Sequence, residues 1–228
     1  MDLKKEAARV ACSYIKNNTS VGLGDGSTVR LLAGMLIDKI KEGLHVHLYT
    51  SSATTQTFLE TAGMQVHDIS KADSLELYFD GCDEVDHQLN ALKSGSGIHT
   101  MEKLLASMAE KFIIMADAPK YVGKFDSKFP LVLEVLPQAI AFVQRKIHAL
   151  YPDAGLSIRK SQEPNNNPIL TRNGNWLVDC FFPFWPEAGS VQHEFKNITG
   201  VVEISLFHQL VSEAIIAGSE GVSKYERK

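Results

Sequence analysis

The sequence predicts an α/β fold with a parallel sheet, joined to a separate α+β unit. Up to about residue 120, short apolar runs typical of strands alternate with amphipathic stretches typical of helices, which favours parallel strands joined by helices. From about residue 129 the pattern changes to hairpins with a helix across one face, which predicts an α+β unit of about 75 residues. The 228 residues, 44% of them hydrophobic, are enough to build a buried core for both parts.

Apolar periodicity and capping residues define the elements of the first half. A stripe of apolar residues at helical spacing predicts a helix over residues 3–16. A second helix is predicted to run to about Lys41, with Ser27 or Thr28 as its capping residue. The other elements predicted here are strands at 20–23, 45–49, 64–69, 75–79 and 112–115, and helices at 53–62 and 100–110.

The second half contains a helix predicted from Pro137 to about Leu150 and a hairpin turn indicated by Asn173-Gly174. The apolar, proline-broken segment 181–186 fits either the edge of a core or an exposed patch for subunit contact. The other elements predicted here are strands at 129–136, 155–160, 169–171, 176–182, 201–207 and 213–217, a loop at 163–168, a helix at 187–196, and a turn at 218–221 before a final short strand.

Composition and charge exclude several classes of partner. Lys and Arg number 23 against 27 Asp and Glu, so the net charge of -4 predicts neither nucleic-acid nor membrane binding. No apolar run approaches the length of a membrane span, and the N-terminal stretch is charged and amphipathic, unlike a signal peptide. Three cysteines far apart fit reduced thiols in a cytoplasmic protein.

The richest chemistry lies between Tyr78 and Lys103. A strand ends at Asp80-Gly81, and two more carboxylates, Asp83 and Glu84, follow closely. Next come a lysine, a loop rich in backbone amides, and a further carboxylate on a predicted helix: Lys93, Ser94-Gly95-Ser96-Gly97 and Glu102. Carboxylates beside a lysine and free backbone amides are suited to proton transfer on a small anionic substrate. An ordinary solvated acidic turn with a flexible loop is the alternative, since acidic residues and glycine are common at turns.

A glycine turn, residues 24–28, joins a predicted strand to a predicted helix. This arrangement is typical of a phosphate cradle, and Lys120 after another strand adds a cation at the same edge of the sheet. The glycines do not match the dinucleotide pattern G-x-G-x-x-G, so nicotinamide binding is not favoured. Tight strand-to-helix packing is the structural alternative.

The histidines offer no recognisable metal site. His45 and His47 alternate on a predicted strand, which places both on one face, but no third ligand lies at a suitable spacing. His99 is the histidine nearest the proposed loop. We therefore expect no metal.

Seven sequence blocks occur in an order and at a spacing typical of one enzyme family. They are GLGDGST (22–28), DGCDEVD (80–86), KSGSGIHTMEK (93–103), EKFIIMADAPK (110–120), FPLVLEVLP (129–137), NGN (173–175) and GVVEISLF (200–207). Together they resemble the type A ribose-5-phosphate isomerases over nearly the whole chain.

The resemblance implies an isomerase that interconverts ribose 5-phosphate and ribulose 5-phosphate through an enediolate, in the pentose phosphate pathway, without metal or cofactor. Glu102 would be the base between C2 and C1, and Lys93 would oppose the developing enediolate oxygen. Asp80 and Asp83 would open the sugar ring and handle the hydroxyl protons. The substrate- and phosphate-binding residues implied by position are Asp25, Gly26, Ser27, Thr28, Gly81, Cys82, Ser94, Gly95, Ser96 and Lys120.

The resemblance also implies a fold and an assembly. A doubly wound, mostly parallel Rossmann-like domain would comprise residues 1–127 and 203–228, with a ferredoxin-like α+β domain at 128–202. A cytoplasmic homodimer or homotetramer is implied, with a sugar phosphate as the small-molecule partner.

The chain departs from the family pattern at four positions. Asp25 stands where the family usually has Thr or Ser, and we expect its carboxylate to point away from the phosphate or to cap a helix. Ser94 and Ser96 interrupt a run of glycines, and Cys82 replaces a common Ala. These departures leave open a divergent paralogue acting on another sugar phosphate. A sugar-phosphate-sensing module is disfavoured, because all four residues of the catalytic type are present and we expect no DNA-binding segment.

Overall fold

The computed structural model describes residues 2–161 and 166–227. The helices are α1 (Leu3–Cys12), α2 (Ser27–Lys41), α3 (Ala53–Thr61), α4 (His99–Met108), α5 (Ile140–Leu150) and α6 (Ala188–Lys196). The strands are β1 (Thr19–Leu23), β2 (Val46–Thr50), β3 (Leu75–Asp80), β4 (Glu84–Asp86), β5 (Ala91–Leu92), β6 (Ala109–Asp117), β7 (Tyr121–Val122), β8 (Leu131–Val135), β9 (Gly155–Ile158), β10 (Trp176–Phe181), β11 (Val201–Ile204), β12 (Leu206–Phe207), β13 (Glu213–Gly218) and β14 (Gly221–Glu226). Short 3₁₀ helices lie at Ile69–Lys71, Ala118–Lys120 and Pro137–Ala139.

A six-stranded sheet in the order β14-β13-β6-β3-β1-β2 forms the larger part of the fold. Its neighbours pair in parallel except β13 and β14, which form an antiparallel hairpin at one edge. Successive residues of β3 enter opposite cores: Leu77 and Phe79 face one side, and Tyr78 the other. A sheet covered on both faces is typical of a doubly wound α/β fold, and this prediction is confirmed.

The smaller unit is an antiparallel sheet in the order β11-β8-β10-β9. Helix α5 follows β8 and α6 follows β10, so the chain order is β-α-β-β-α-β, as predicted for a ferredoxin-like unit. Its core also takes in Leu92, Phe125 and Leu206 from outside the predicted bounds of 128 and 202. Those bounds stay a prediction.

A third sheet, β12-β5-β4-β7, was not predicted. Its strands are two or three residues long, too short to leave a periodic pattern in the sequence. Sheet pairing there joins the stretch after Asp80 to the chain returning from the smaller unit, through Leu92 opposite Leu206. This sheet holds Lys93 next to the end of β3.

The buried apolar residues form three clusters, one on each face of the large sheet and one in the smaller unit. Each cluster contains one buried free cysteine. Cys12 lies on the face of the large sheet covered by α1–α3, Cys82 on the face covered by α4, and Cys180 in the smaller unit. Helix α2 shows how the pattern arises, because its buried residues fall at positions 29, 32, 33, 36 and 37, one helical face.

The predicted cap of α2 is wrong. The helix begins at Ser27, its capping position is Gly26 at φ +105°, and no side chain caps it. A positive φ favours glycine, so the backbone of Gly26 sets the entry into the helix. The Ser27 hydroxyl instead accepts a hydrogen bond from Lys4 Nζ at 2.9 Å.

Several predicted strands and helix ends also differ. Residues 64–69 form no strand, since only Val66 makes a single bridge to Leu48 before the 3₁₀ helix. Residues 169–171 contribute one bridge, Leu170 to Trp176. The predicted strand 201–207 divides at Ser205, because its two halves pair in different sheets. The first helix ends at Cys12 instead of residue 16, and residues 13–14 form a turn.

Two further predictions concern the smaller unit. Of the predicted loop 163–168, residues 163–165 lie outside the described residues. In the segment 181–186, Phe182 and Trp185 are buried in the core, whereas Phe184 is 85% exposed. Within residues 2–161 and 166–227, no helix combines the length and the hydropathy that crossing a membrane requires.

Candidate active site

A cleft of about 220 Å³ opens beside the carboxyl ends of β1, β3 and β6. Helix α2 follows β1 on one face of the sheet and α4 follows β3 on the other, so the cleft lies at a topological switch point, where α/β sheets bind ligands. Its lining is Asp25, Gly26, Ser27, Thr28, Gly81, Cys82, Asp83, Lys93, Gly95, Ser96, Glu102, Met115 and Lys120. Of the predicted site residues, only Asp80 and Ser94 lie behind this lining.

Asp80 is fully buried and held by four donors. Its Oδ1 accepts from the backbone N–H groups of Gly81 at 2.7 Å and Asp25 at 3.3 Å. Its Oδ2 accepts from the Tyr78 hydroxyl at 2.7 Å and lies 2.9 Å from Lys93 Nζ. A Cβ on Gly24 would lie 2.1 Å from Asp80 Cγ, so the glycine at this position makes room for the carboxylate.

Lys93 lies between two carboxylates. Its Nζ is 2.9 Å from Asp80 Oδ2 and 3.4 Å from Glu102 Oε1, and it donates to the Gly81 carbonyl at 2.8 Å. Burial alone would lower the pKa of this lysine, but the charges of Asp80 and Glu102 raise it above its ordinary value. The side chain is therefore a fixed cation facing the cleft.

Glu102 is a buried carboxylate with unused hydrogen-bonding capacity. Its side chain is 1% exposed, and neither oxygen has a hydrogen-bond partner within the described part of the chain. Burial raises its pKa well above the ordinary 4.5, the Lys93 charge lowers it, and Asp80 raises it again. A carboxylate left unsatisfied at a cleft wall is a candidate general base, because its free oxygens can accept a substrate proton.

Of the other two carboxylates in the predicted cluster, one lines the cleft and the other does not. Asp83 lines the cleft, and its Oδ2 accepts from the Ser94 N–H at 2.5 Å. The Ser94 hydroxyl points away and donates to the Pro130 carbonyl. Glu84 turns away from the cleft and accepts from the Asp126 N–H at 2.7 Å. The cleft therefore holds Asp83 and Glu102, with Asp80 behind them.

The turn 24–28 and Lys120 form the other wall. Helix α2 starts there, with Gly26, Ser27 and Thr28 in the lining, so the positive end of the helix faces the cleft. Lys120 Nζ donates to the Cys82 carbonyl at 2.8 Å and lies 3.9 Å from Asp117 Oδ1. Lys4 Nζ contacts Ser27 of the turn, and Lys120 lines the same cleft as the turn.

Asp25 is directed toward the start of α3. Its Oδ1 accepts from the Ser52 hydroxyl at 2.8 Å, and the same Ser52 oxygen accepts from the Thr55 N–H at 3.1 Å as the cap of α3. A carboxylate near a helix N-terminus is stabilised by the helix dipole. Asp25 therefore caps no helix itself: it accepts from Ser52, the residue that caps α3, and it remains in the lining of the cleft.

Four residues near the site were missed by the sequence analysis. Tyr78 could have been found, since it precedes Asp80 by two positions on one strand and so shares its face. Met115 lies near the end of β6, the strand that pairs with β3. Lys4 and Arg159 come from distant segments and left no local signal; Arg159 donates to the Ser94 and Gly95 carbonyls.

None of the described histidines lines the cleft, whereas Cys82 is a buried thiol in its lining. His99 is fully buried at the start of α4, where burial lowers its pKa to about 4, and its Nε2 lies 3.3 Å from the Glu203 carbonyl. His47 packs against His67, with ring centroids 5.4 Å apart. Burial raises the pKa of Cys82 to about 12. Among the described residues, no group of three His, Cys, Asp or Glu side chains could hold a metal ion.

The geometry has a definite chemical capacity. Glu102 can exchange a proton with a bound molecule, the Lys93 ammonium can stabilise an oxyanion beside it, and the turn 24–28 can hold an anionic group at the far end. These three functions suit proton transfer next to a carbonyl in a small phosphorylated substrate.

Known proteins resemble this chain over nearly its whole length. The family model described as ribose 5-phosphate isomerase A (phosphoriboisomerase A) matches residues 47–221. Ribose-5-phosphate isomerase A from Nitrobacter hamburgensis is 34% identical over 230 residues, covering 99% of this chain and 98% of the relative. The solved ribose 5-phosphate isomerase A of Methanocaldococcus jannaschii has a TM-score of 0.90 at 30% identity, covering 99% of this chain and 98% of that one. A D-ribose-5-phosphate isomerase in complex with phospho-erythronic acid has a TM-score of 0.92 at 29% identity, with the same coverage.

Proposed function

The chain belongs to the ribose 5-phosphate isomerase A family, and on that premise we propose how its own residues perform the family's reaction. The protein is an aldose–ketose isomerase that interconverts D-ribose 5-phosphate and D-ribulose 5-phosphate, in the non-oxidative pentose phosphate pathway. One observation carries the assignment of residues: the buried carboxylate of Glu102, which accepts no hydrogen bond from the described residues, lies 3.4 Å from the Lys93 ammonium at the wall of the cleft.

Glu102 moves the proton. In the open-chain aldose, its carboxylate takes the proton from C2, the C–H electron pair forms a C1–C2 double bond, and the C1 carbonyl oxygen becomes an enediolate oxygen. The same group then returns the proton to C1, the hydroxyl proton on O2 passes to O1 through Asp83, and the oxygen on C2 becomes the carbonyl. One base suffices because C1 and C2 are adjacent.

Lys93 stabilises the enediolate oxygen. Its ammonium is fixed by Asp80 and the Gly81 carbonyl, so it does not have to reorganise when negative charge develops on the substrate. The Tyr78 hydroxyl and two backbone N–H groups hold Asp80 in turn. Asp80 thus acts chiefly through Lys93, and Asp83, which lines the cleft, serves ring opening and exchange of hydroxyl protons.

The turn 24–28 holds the phosphate. The start of α2 supplies backbone N–H groups and the helix dipole, and Lys4 and Lys120 supply positive charge. Binding energy from this remote group keeps the reacting carbons beside Glu102. Asp25 is compatible with this role because Ser52 and the start of α3 hold its carboxylate.

The test is Glu102→Gln. This substitution keeps the volume of the side chain and removes the base, so we expect turnover of ribose 5-phosphate to fall by about 10³-fold or more. Circular dichroism and the unfolding midpoint should match those of the wild type. Glu110→Gln, at an exposed position two residues after the end of α4, is the matched control and should leave turnover unchanged. Near-normal rates in Glu102→Gln would refute the assignment. Wild-type turnover in EDTA tests the expectation that no metal is needed.

We also propose that the protein is cytoplasmic and forms a homodimer or homotetramer. The three buried free thiols support a reducing compartment, and the family resemblance supports the assembly. Sedimentation velocity separates the states, since one chain has a mass of 25.2 kDa. A single species of that mass at micromolar concentration would contradict the assembly.

A further inference from the structure

The loop between Lys93 and α4 is attached to the smaller unit through Arg159. This residue follows β9, and its Nη2 and Nη1 atoms donate to the carbonyls of Ser94 and Gly95 at 2.8 and 2.9 Å. Both acceptors belong to the loop whose residues Gly95 and Ser96 line the cleft. Arg159 itself does not line the cleft, so its effect on the reaction has to act through the loop.

Asp179 on β10 fixes the guanidinium. Its two oxygens accept from Nη2 at 2.6 Å and from Nε at 3.1 Å, in a two-point pairing that sets the orientation of the planar group. The two side chains are 18% and 14% exposed, so water screens this pair less than a surface pair. The strand pair β9–β10 therefore presents a rigid donor to the loop.

At the other end of the loop, Gly97 packs closely against the same strand pair, β9–β10. It has φ +71°, and a Cβ added there would lie 2.4 Å from Leu177 Cδ1 and 3.6 Å from Arg159 Nη1. Both the positive φ and the close approach favour glycine. The smaller unit thus contacts the loop at two points, one polar and one apolar.

The geometry of the peptide group gives these contacts a consequence at the cleft. In a planar trans peptide, the C=O of one residue and the N–H of the next point in opposite directions. With the carbonyls of Ser94 and Gly95 turned to Arg159, the N–H groups of Gly95 and Ser96 point away from it. Neither N–H has a hydrogen-bond acceptor among the described residues, so both are available to a ligand.

We propose that Arg159, oriented by Asp179, is a positioning residue that holds the loop 94–97 with the Gly95 and Ser96 amides directed at the reacting part of the substrate. The inference rests on the proposed function for its effect on rate. The smaller unit contributes to the reaction in this way without placing a side chain in the cleft.

The first experiment measures the loop directly by hydrogen exchange and mass spectrometry. Arg159→Met removes the donors but keeps much of the apolar stem. We expect the Ser94 amide, which donates to Asp83 Oδ2, to exchange at least about tenfold faster than in the wild type, because release of the loop breaks this hydrogen bond more often. Arg145→Met, on the exposed face of α5, is the matched control and should leave this exchange unchanged. Unchanged loop exchange in Arg159→Met would overturn the proposal.

The second experiment separates positioning from general stability. We expect Arg159→Met to lower kcat for ribose 5-phosphate by roughly 100-fold while KM changes little, because the turn that holds the phosphate is untouched. Arg159→Lys keeps the charge without the fork and should recover only part of the rate. Asp179→Asn should lower kcat when it is introduced alone, but it should have little further effect when Arg159→Met is already present, since Asp179 acts through Arg159.

The outcomes distinguish this inference from the proposed function. If the wild type does not isomerise ribose 5-phosphate, the proposed function fails, and loop exchange still decides whether Arg159 positions the loop. If the wild type is active and Arg159→Met has normal kcat, the positioning role is overturned even if the loop exchanges faster. Additive losses in the double variant would equally overturn the coupling to Asp179.

Discussion

At the residue scale, burial and charge act against each other at Glu102. Burial raises the pKa of this carboxyl, the Lys93 ammonium lowers it, and the carboxylates of Asp80 and Asp25 raise it. The balance leaves a carboxyl whose pKa lies above the ordinary 4.5, closer to neutral pH, where a general base is most effective. The same surroundings keep Lys93 protonated, since two carboxylates face it.

The pH dependence of turnover follows from these contributions. Only ionised Glu102 can accept the proton from the substrate, so kcat/KM should fall on the acidic side with an apparent pKa above 4.5. Asp25→Asn removes a nearby negative charge and should move this acidic limb to lower pH. A pH–rate profile of both proteins at constant ionic strength makes the measurement. An acidic limb that stays in place or moves to higher pH would contradict this account.

At the scale of elements, Glu134 links β8 to two other segments. Its buried carboxylate accepts from Thr171 at 2.8 Å, Asn173 at 3.0 Å and Asn175 at 2.7 Å, all in the hairpin turn, and from Thr100 in the first turn of α4. Burial alone would raise its pKa, but the four hydrogen bonds lower it below 4.5. The first turn of α4 is thereby attached to the smaller unit two residues before Glu102.

We expect Glu134→Gln to destabilise the fold by about 1–3 kcal/mol at neutral pH, because an amide cannot accept all four hydrogen bonds. A carboxyl with a lowered pKa in the folded state stabilises above its unfolded pKa and loses this contribution as pH falls through the folded value. The difference in stability between wild type and variant should therefore shrink below about pH 4.5. Urea unfolding across this range measures it.

Glu84 provides a control of opposite sign. Burial raises its pKa, so the folded state binds its proton more readily than the unfolded chain does. The contribution of Glu84 to stability is therefore largest at low pH and declines as pH rises through the folded pKa. In the same urea series, the difference between wild type and Glu84→Gln should change with pH in the opposite direction to that for Glu134→Gln. Parallel trends would contradict both assignments.

The sequence predicted the features that depend on local pattern and missed those that depend on contacts between distant segments. The five parallel strands, the helices between them and the β-α-β-β-α-β unit follow from periodicity, and the cluster from Asp80 to Glu102 is visible because its members are close in the chain. Lys4 and Arg159 reach the site from segments tens of residues away, and nothing near them in sequence marks that contact. Ser27 does not cap α2 because the helix already begins at this residue, with Gly26 in the capping position.

At the scale of the whole molecule, three sheets meet at the cleft. The large sheet supplies Asp80 and the turn 24–28, the short third sheet delivers Asp83 and Lys93, and the smaller unit holds the loop through Arg159. The shared core contacts of Leu92 and Leu206 join the smaller unit to the third sheet. A change in the smaller unit can therefore reach Glu102 and Lys93 through packed elements.

Alkylation of the three buried cysteines can measure local opening of the structure. Thiolate is the reactive form, and burial raises the pKa of Cys82 and Cys180 to about 12 and that of Cys12 above 9.0, so alkylation requires each cluster to open. We expect three distinct iodoacetamide labelling rates by mass spectrometry, with ribose 5-phosphate slowing Cys82 most, because it alone lines the cleft. Equal rates with equal protection would mean that the three cores open only together, as one cooperative unit.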